Sequence, residues 1–197
     1  MKFIATVIIA ASSAIFSGSA QAEEFNGAHV AVVGGYNRDE VGSVGTSAGR
    51  AVVHRGKDSA VAGIALGYDY KVAPRIVIGA EADALFGIDD TVHGESATLD
   101  PKRTFDLTAR AGYIVVPHTL LYVRGGYANG RVEARVPADT ASTTRNDDRD
   151  GWTVGGGVER YFADNLSARI EYRYTDLSDG NGKFDRHQAL VGVAYHF

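Results

Sequence analysis

Gly151-Trp152-Thr153-Val154-Gly155-Gly156-Gly157-Val158-Glu159-Arg160-Tyr161-Phe162 runs through the short polar step Ala163-Asp164-Asn165 into Leu166-Ser167-Ala168-Arg169-Ile170-Glu171-Tyr172-Arg173-Tyr174. In the first run, Trp152, Val154, Gly156, Val158 and Phe162 alternate with Thr153, Gly155, Gly157 and Glu159. In the second, Ala168, Ile170, Tyr172 and Tyr174 alternate with Arg169, Glu171 and Arg173. A period of two puts the two sets on opposite faces of a β-strand, so this stretch predicts a hairpin. One of its faces is apolar and aromatic. The other carries full charges, and what lies against that face decides the fold.

Six more segments repeat the alternation. The predicted strands cover roughly 27–36, 59–70, 76–86, 103–115, 120–129, 151–162, 166–175 and 187–197. Short turns at 71–75, 116–119 and 163–165 alternate with longer polar stretches at 37–58, 87–102, 130–150 and 176–186. Short connections on one side and long ones on the other describe an antiparallel up-and-down meander, and strands of about 10 residues match tilted membrane-spanning strands. The charged faces gather Glu81, Asp83, Asp106, Glu159 and Glu171 with Arg110, Arg124, Arg169 and Arg173, five acids against four bases. Buried in a soluble core these ions would be costly, whereas in the lumen of a membrane barrel they pair with each other and with water. The apolar face is then the outside. Near the loop ends of the strands it carries Tyr36, Phe86, Phe105, Tyr127, Trp152, Tyr172 and Tyr174. Near the turn ends it carries Tyr68, Tyr70, Tyr113, Phe162, Tyr195 and Phe197, so two aromatic girdles are predicted, one for each membrane interface. A soluble lipocalin-type barrel would instead line a cavity with these residues, which leaves the charged face unexplained. Lipid offers no water to unpaired backbone groups, so the sheet must close, with the eighth strand against the first. The fold class is therefore an all-β, eight-stranded antiparallel transmembrane barrel.

Composition agrees. The 197 residues include 24 Gly, 4 Pro and no Cys, with a net charge of −4. There is no disulfide or thiolate chemistry, and the acidic balance argues against nucleic acid as a partner. Lys2, the apolar run Phe3–Phe16 and Ala20-Gln21-Ala22 form the three parts of a secretory signal peptide, with cleavage read at Ala20 and Ala22. Residues 23–197 are the barrel domain. Lys2 leaves with the leader, so the remaining 175 residues carry 19 basic side chains against 24 acidic ones, net −5. No long tail follows Phe197, so a peptidoglycan tether is expected to come from another protein.

Several stretches resemble the opacity-type porin family, small eight-stranded outer-membrane proteins of Gram-negative bacteria. They are Phe25-Asn26-Gly27 through Gly35-Tyr36-Asn37, Ile78-Gly79-Ala80-Glu81-Ala82-Asp83, and Arg110-Ala111-Gly112-Tyr113 with Leu120 to Gly126. The hairpin from Gly151 to Tyr174 is the most specific. Phe25, His29 and Arg160 depart from the pattern by standing where Trp or aromatic residues are usual. The resemblance implies insertion by the barrel-assembly machinery with Phe197 as its signal, and contact with outer-membrane lipid and lipopolysaccharide. Members are variously described as porins, envelope-stabilising proteins, surface antigens or adhesins, and haemin binders.

Three functional readings follow. A barrel of eight strands is just wide enough for its own side chains to fill it, so the charges make a plug, and the protein is a surface-exposed envelope component. Alternatively they line a narrow porin for ions or small solutes. In the third reading, His54 and His93, with Arg38, Arg50, Arg55, Arg131, Arg135, Arg145 and Arg149, bind haemin or a host ligand at the loops. No resident cofactor or metal is expected: His29, His118 and His196 lack metal-ligand spacing, and Asp147-Asp148-Arg149-Asp150 lacks the order of a calcium loop. No enzyme is expected either, because no G-x-S-x-G occurs and His187 has Arg186 and Gln188, not serine, beside it.

Overall fold

The computed structural model describes residues 24–46, 49–51, 55–88, 98–136, 143–177 and 182–197. Its strands are β1 (Gly27–Thr46), β2 (Gly49–Ala51), β3 (Arg55–Ala73), β4 (Ile76–Gly87), β5 (Thr98–Val116), β6 (Thr119–Val136), β7 (Thr143–Ala163), β8 (Leu166–Asp176) and β9 (Gly182–His196). Each barrel strand pairs antiparallel with its chain neighbours, and β1 also pairs with β9, which closes the sheet. The short β2 folds back on the end of β1 outside the barrel proper, which therefore has eight strands: β1 and β3 to β9.

The ladder fixes the shape. Pairing leads from His29 through Gly67, Glu81, Thr108, Gly126, Thr153, Thr175 and Arg186 back to β1 at Asp39. One circuit thus climbs ten residues along β1, from 29 to 39. With eight strands, this stagger corresponds to a strand tilt of about 40° and a wall radius of about 8 Å. At that tilt the 11 residues of β8 rise about 27 Å, close to the height of a membrane barrel's apolar band.

The turn end is built alike three times. Two-residue turns at Pro74–Arg75, Pro117–His118 and Asp164–Asn165 each follow a register shift, at Lys71/Ala73, Ile114/Val116 and Tyr161/Ala163. Pro117 followed by His118 at φ 67° matches the preference of a type II turn for Pro and then a left-handed residue. Asn165 holds the last strand to this end, donating to the His196 carbonyl at 2.7 Å.

The loop end differs from expectation. Much of the predicted loops 37–58, 87–102, 130–150 and 176–186 continues the ladder, as in Arg131↔Asp148 to Val136↔Thr143 between β6 and β7. In 37–40 and 143–150 polar residues take both parities, which conceals a strand from a reading based on apolar periodicity, whereas 131–136 does alternate, with Val132, Ala134 and Val136 between Arg131, Glu133 and Arg135. Only β4 and β8 stop near the expected height, at Gly87 and Asp176.

Among the described side chains, alternation decides inside and outside. Ile64, Leu66, Leu107, Val123, Ile170 and Val191 face outward and are each more than half exposed. The buried set is largely polar, with three small apolar clusters: Phe25, Val77, Leu120, Tyr122 and Tyr161 at the turn end; Ala31, Val33, Ala65, Leu85 and Ala194 nearer the loop end; and Ala128 with Leu177.

Candidate functional site

The chemistry of this molecule is concentrated in its lumen. All nine charged residues expected there are inside and buried: Glu81, Asp83, Asp106, Arg110, Arg124, Glu159, Arg169, Glu171 and Arg173. Neighbouring strands deliver them at matching heights, as in the pairs Asp83↔Asp106, Arg110↔Arg124 and Glu159↔Arg169. Two of these are like-charge pairs, unfavourable on an open sheet. Here the lumen is narrow enough for side chains to reach across it to the opposite charge.

Glu81 is the hub. Its carboxylate accepts from Arg124 at 2.6 Å, from Arg169 at 2.6 Å and meets His29 Nε2 at 2.9 Å. Arg124 also reaches Asp83, Glu171 at 3.3 Å and the Thr108 hydroxyl at 2.5 Å. Arg173 grips Asp106 at 2.6 Å and Glu171 at 2.6 and 2.8 Å. Tyr122 donates its hydroxyl proton to Glu171 at 2.6 Å. Towards the turn end Arg110 bridges Asp69 and Glu159, while Glu159 also takes the Ser167 hydroxyl at 2.6 Å and meets His196 Nε2 at 3.2 Å. The Arg110 guanidinium lies over the Tyr122 ring, 5.3 Å from its centre. Charge-assisted, partly bidentate bonds of this kind are the strong ones in proteins, and their burial strengthens them further. Two glycines make the network possible. A Cβ on Gly67 would stand 2.4 Å from the His29 ring, and one on Gly79 would stand 2.1 Å from Asp69 Oδ1.

Sequence reading missed several members. Asp69 sits between Tyr68 and Tyr70 on the charged-face parity of its strand, a signal that was available. Asp39 and Arg186 lie in segments expected to be loops, yet they form a buried bidentate pair at 2.6 and 3.1 Å, with Thr104 joined at 2.8 Å. Beside them Gln188 donates to Asn37 at 2.8 Å. His29 and His196 face the lumen near the turn end as expected, their rings 5.3 Å apart.

Of the thirteen aromatics assigned to the girdles, Tyr36, Tyr68, Tyr70, Phe86, Phe105, Tyr113, Tyr127, Trp152, Phe162, Tyr172 and Tyr195 stand exposed on the outer wall, and Tyr174 is half-buried beside them. Phe197 is also outside, edge-on to Tyr195 at 5.1 Å. At the loop end their polar tips are tied: Tyr172 to His187 Nδ1 at 2.6 Å, Tyr174 to Asp185 at 2.9 Å, and Tyr127 to Asp150. Arg160 points outward near the turn end. Ala20, Ala22, His54 and His93 lie outside the described residues, as do the side chains of Arg50, Arg55, Arg131, Arg135, Arg145, Asp147, Asp148 and Arg149. Among the described residues no group of three or more His, Asp or Glu is arranged to hold a metal ion.

A family profile described as "Outer membrane protein beta-barrel domain" matches residues 8–197. The chain belongs to this outer-membrane barrel family. It is 31% identical over 147 residues to the 25 kDa outer-membrane immunogenic protein of Brucella canis, covering 69% of this chain and 65% of that one. It is 32% identical over 142 residues to a 22 kDa outer membrane protein of Rhizobium leguminosarum, covering 66% and 63%. These matches thus span somewhat less than two thirds of the relatives' own lengths. Among solved structures, the Ail protein of Yersinia pestis superposes with a TM-score of 0.54 at 16% identity, over 87% of this chain and 99% of that one. Neisserial surface protein A gives 0.55 at 15% identity, over 87% and 98%. At such identities the likeness is one of fold. The barrel is an integral protein of the outer membrane, its lipid-facing wall the apolar one and its short turns on the periplasmic side.

Proposed function

We propose that this barrel is a structural, surface-exposed component of the outer membrane whose lumen is closed to solutes by its own ion-pair network. One observation carries the reading: four arginines and six carboxylates interlock across the lumen, every one of them at most 4% exposed. A pore lined by charge keeps its ions hydrated. Here each guanidinium is spent on carboxylates, and an eight-stranded wall leaves little width beyond them. The family's immunogenic relatives support exposure of the loop end to the outside.

The test is single-channel recording of the refolded chain lacking residues 1–22, in planar bilayers. Correct folding is checked by heat-dependent gel mobility. A silent, folded barrel is expected. Steady openings whose size or ion selectivity shifts in Glu81→Ala or Arg124→Ala would overturn the plug in favour of a narrow porin. The haemin reading rests on His54 and His93, and a spectral titration unchanged by His54→Ala with His93→Ala would remove them as ligands.

A further inference from the structure

One member of the periplasmic apolar cluster comes from no strand. Phe25 precedes β1, is fully buried and packs edge-on against Tyr161, with ring centres 4.8 Å apart at 84°. Its backbone N–H donates to the Tyr161 hydroxyl at 3.3 Å. On one side of it the Asn26 side-chain carbonyl accepts from Lys71 N–H on β3 at 3.3 Å. On the other, the Glu24 carboxylate meets His118 Nδ1 in the turn between β5 and β6. In the closed strand order β1 adjoins β3 and β9, while β7 and the β5–β6 turn stand across the barrel. Three consecutive residues therefore leave the wall and cross the mouth. The φ of Phe25 is 57°, a left-handed value uncommon for a residue with a Cβ, at the point where the chain leaves the wall.

We propose that Glu24-Phe25-Asn26 is a strap that seals the periplasmic mouth of the lumen, with Phe25 as a stopper in a socket formed by Val77, Leu120, Tyr122 and Tyr161. The strap stands directly beneath the ion network: the far side of Tyr161 lies against His196, ring centres 4.7 Å apart, and His196 meets Glu159. Its role is to keep periplasmic water from the lower ion pairs, whose strength depends on dry surroundings. Few contacts hold it, and the Glu24–His118 pair is partly solvent-exposed, so the strap is the part of this end most readily released. This inference concerns water access and not conductance, so it stands or falls separately from the plugged-lumen reading.

The chain has no cysteine, which makes an introduced one the sole target of a thiol reagent. Val77→Cys probes the socket, and Leu85→Cys probes the lumen on the extracellular side of the network. Both are refolded in detergent micelles, checked by heat-dependent mobility, and reacted with a charged maleimide. Slow labelling of the Val77→Cys protein is expected, rising about tenfold or more when Phe25→Ala is added, while the Leu85→Cys rate stays within about twofold. Should Phe25→Ala fail to fold, Glu24→Ala with Tyr161→Phe removes two ties and leaves the ring, and is expected to give a smaller rise at Val77→Cys alone. Fast labelling at Val77→Cys with the strap intact overturns the proposal. So does a rate there that no strap variant changes, or an equal rise at both positions.

Discussion

The two faces of the same wall obey opposite rules. On β6, Leu121 and Val123 point outward and are more than half exposed, while Tyr122 and Arg124, one residue along, are 2% and 3% exposed. Outside, lipid replaces whatever contact a side chain gives up, and position specifies chemical class more than identity. Inside, each charge is buried and held by named partners. Identity there is fixed pair by pair, down to the glycines that leave room. A membrane barrel of this width is thus a soluble protein turned inside out only in polarity. In tolerance to change it keeps the usual order, with the buried side the demanding one.

The sharpest way to break that asymmetry is at the hub. Glu81→Ala strips an acceptor from Arg124, Arg169 and His29 together. Removing one partner of a buried ion pair costs about 3–5 kcal/mol, and this change reaches the upper part of that range because three donors lose their acceptor. Urea titration of reversible folding into vesicles measures it. A loss under about 1 kcal/mol would mean that water reaches the lumen and that the two faces differ less than argued. Next in size is the reciprocal insult, Val123→Arg on the outer wall. A guanidinium near the bilayer midplane costs about 2–4 kcal/mol, and the same titration should place it below Glu81→Ala.

How far this asymmetry was legible in the sequence depends on the height along the barrel. Within the membrane-spanning part, strict alternation of Ile170, Tyr172 and Tyr174 with Arg169, Glu171 and Arg173 announces both faces, and the nine lumen charges follow from parity alone. Asp69 obeyed the same rule and needed only to be counted. Above the membrane, stretches such as 37–40 and 143–150 are polar at both parities, so period-two contrast vanishes there. That is why β1 and β7 run past their expected ends and why Asp39 and Arg186 were assigned to loops, whereas the end of β6 still alternates, Val132, Ala134 and Val136 with Arg131, Glu133 and Arg135, and needed only to be read. Phe25 was out of reach for another reason. A single aromatic before a strand says nothing of which way the chain turns, and its burial depends on a left-handed backbone and on partners 52 to 136 residues away.

The smallest expected effect sharpens the comparison most, because it separates charge from partnership. Asp39 and Arg186 form their bidentate pair above the main network, near the extracellular mouth, with Thr104 as an additional acceptor. Asp39→Leu alone leaves a buried guanidinium without this carboxylate, and Arg186→Met alone leaves a buried carboxylate without its fork. Each is expected to destabilise by about 3 kcal/mol. The double variant removes both desolvation costs and fills the space with apolar groups of similar size. Its stability should fall within about 1 kcal/mol of the parent, since a buried ion pair is often matched by well-packed hydrophobic residues. The double-mutant cycle then returns a large coupling energy from a nearly neutral combination. Additive single losses would instead mean that the two residues act on separate neighbours, and that what the lumen demands is charge at each site and not agreement between sites.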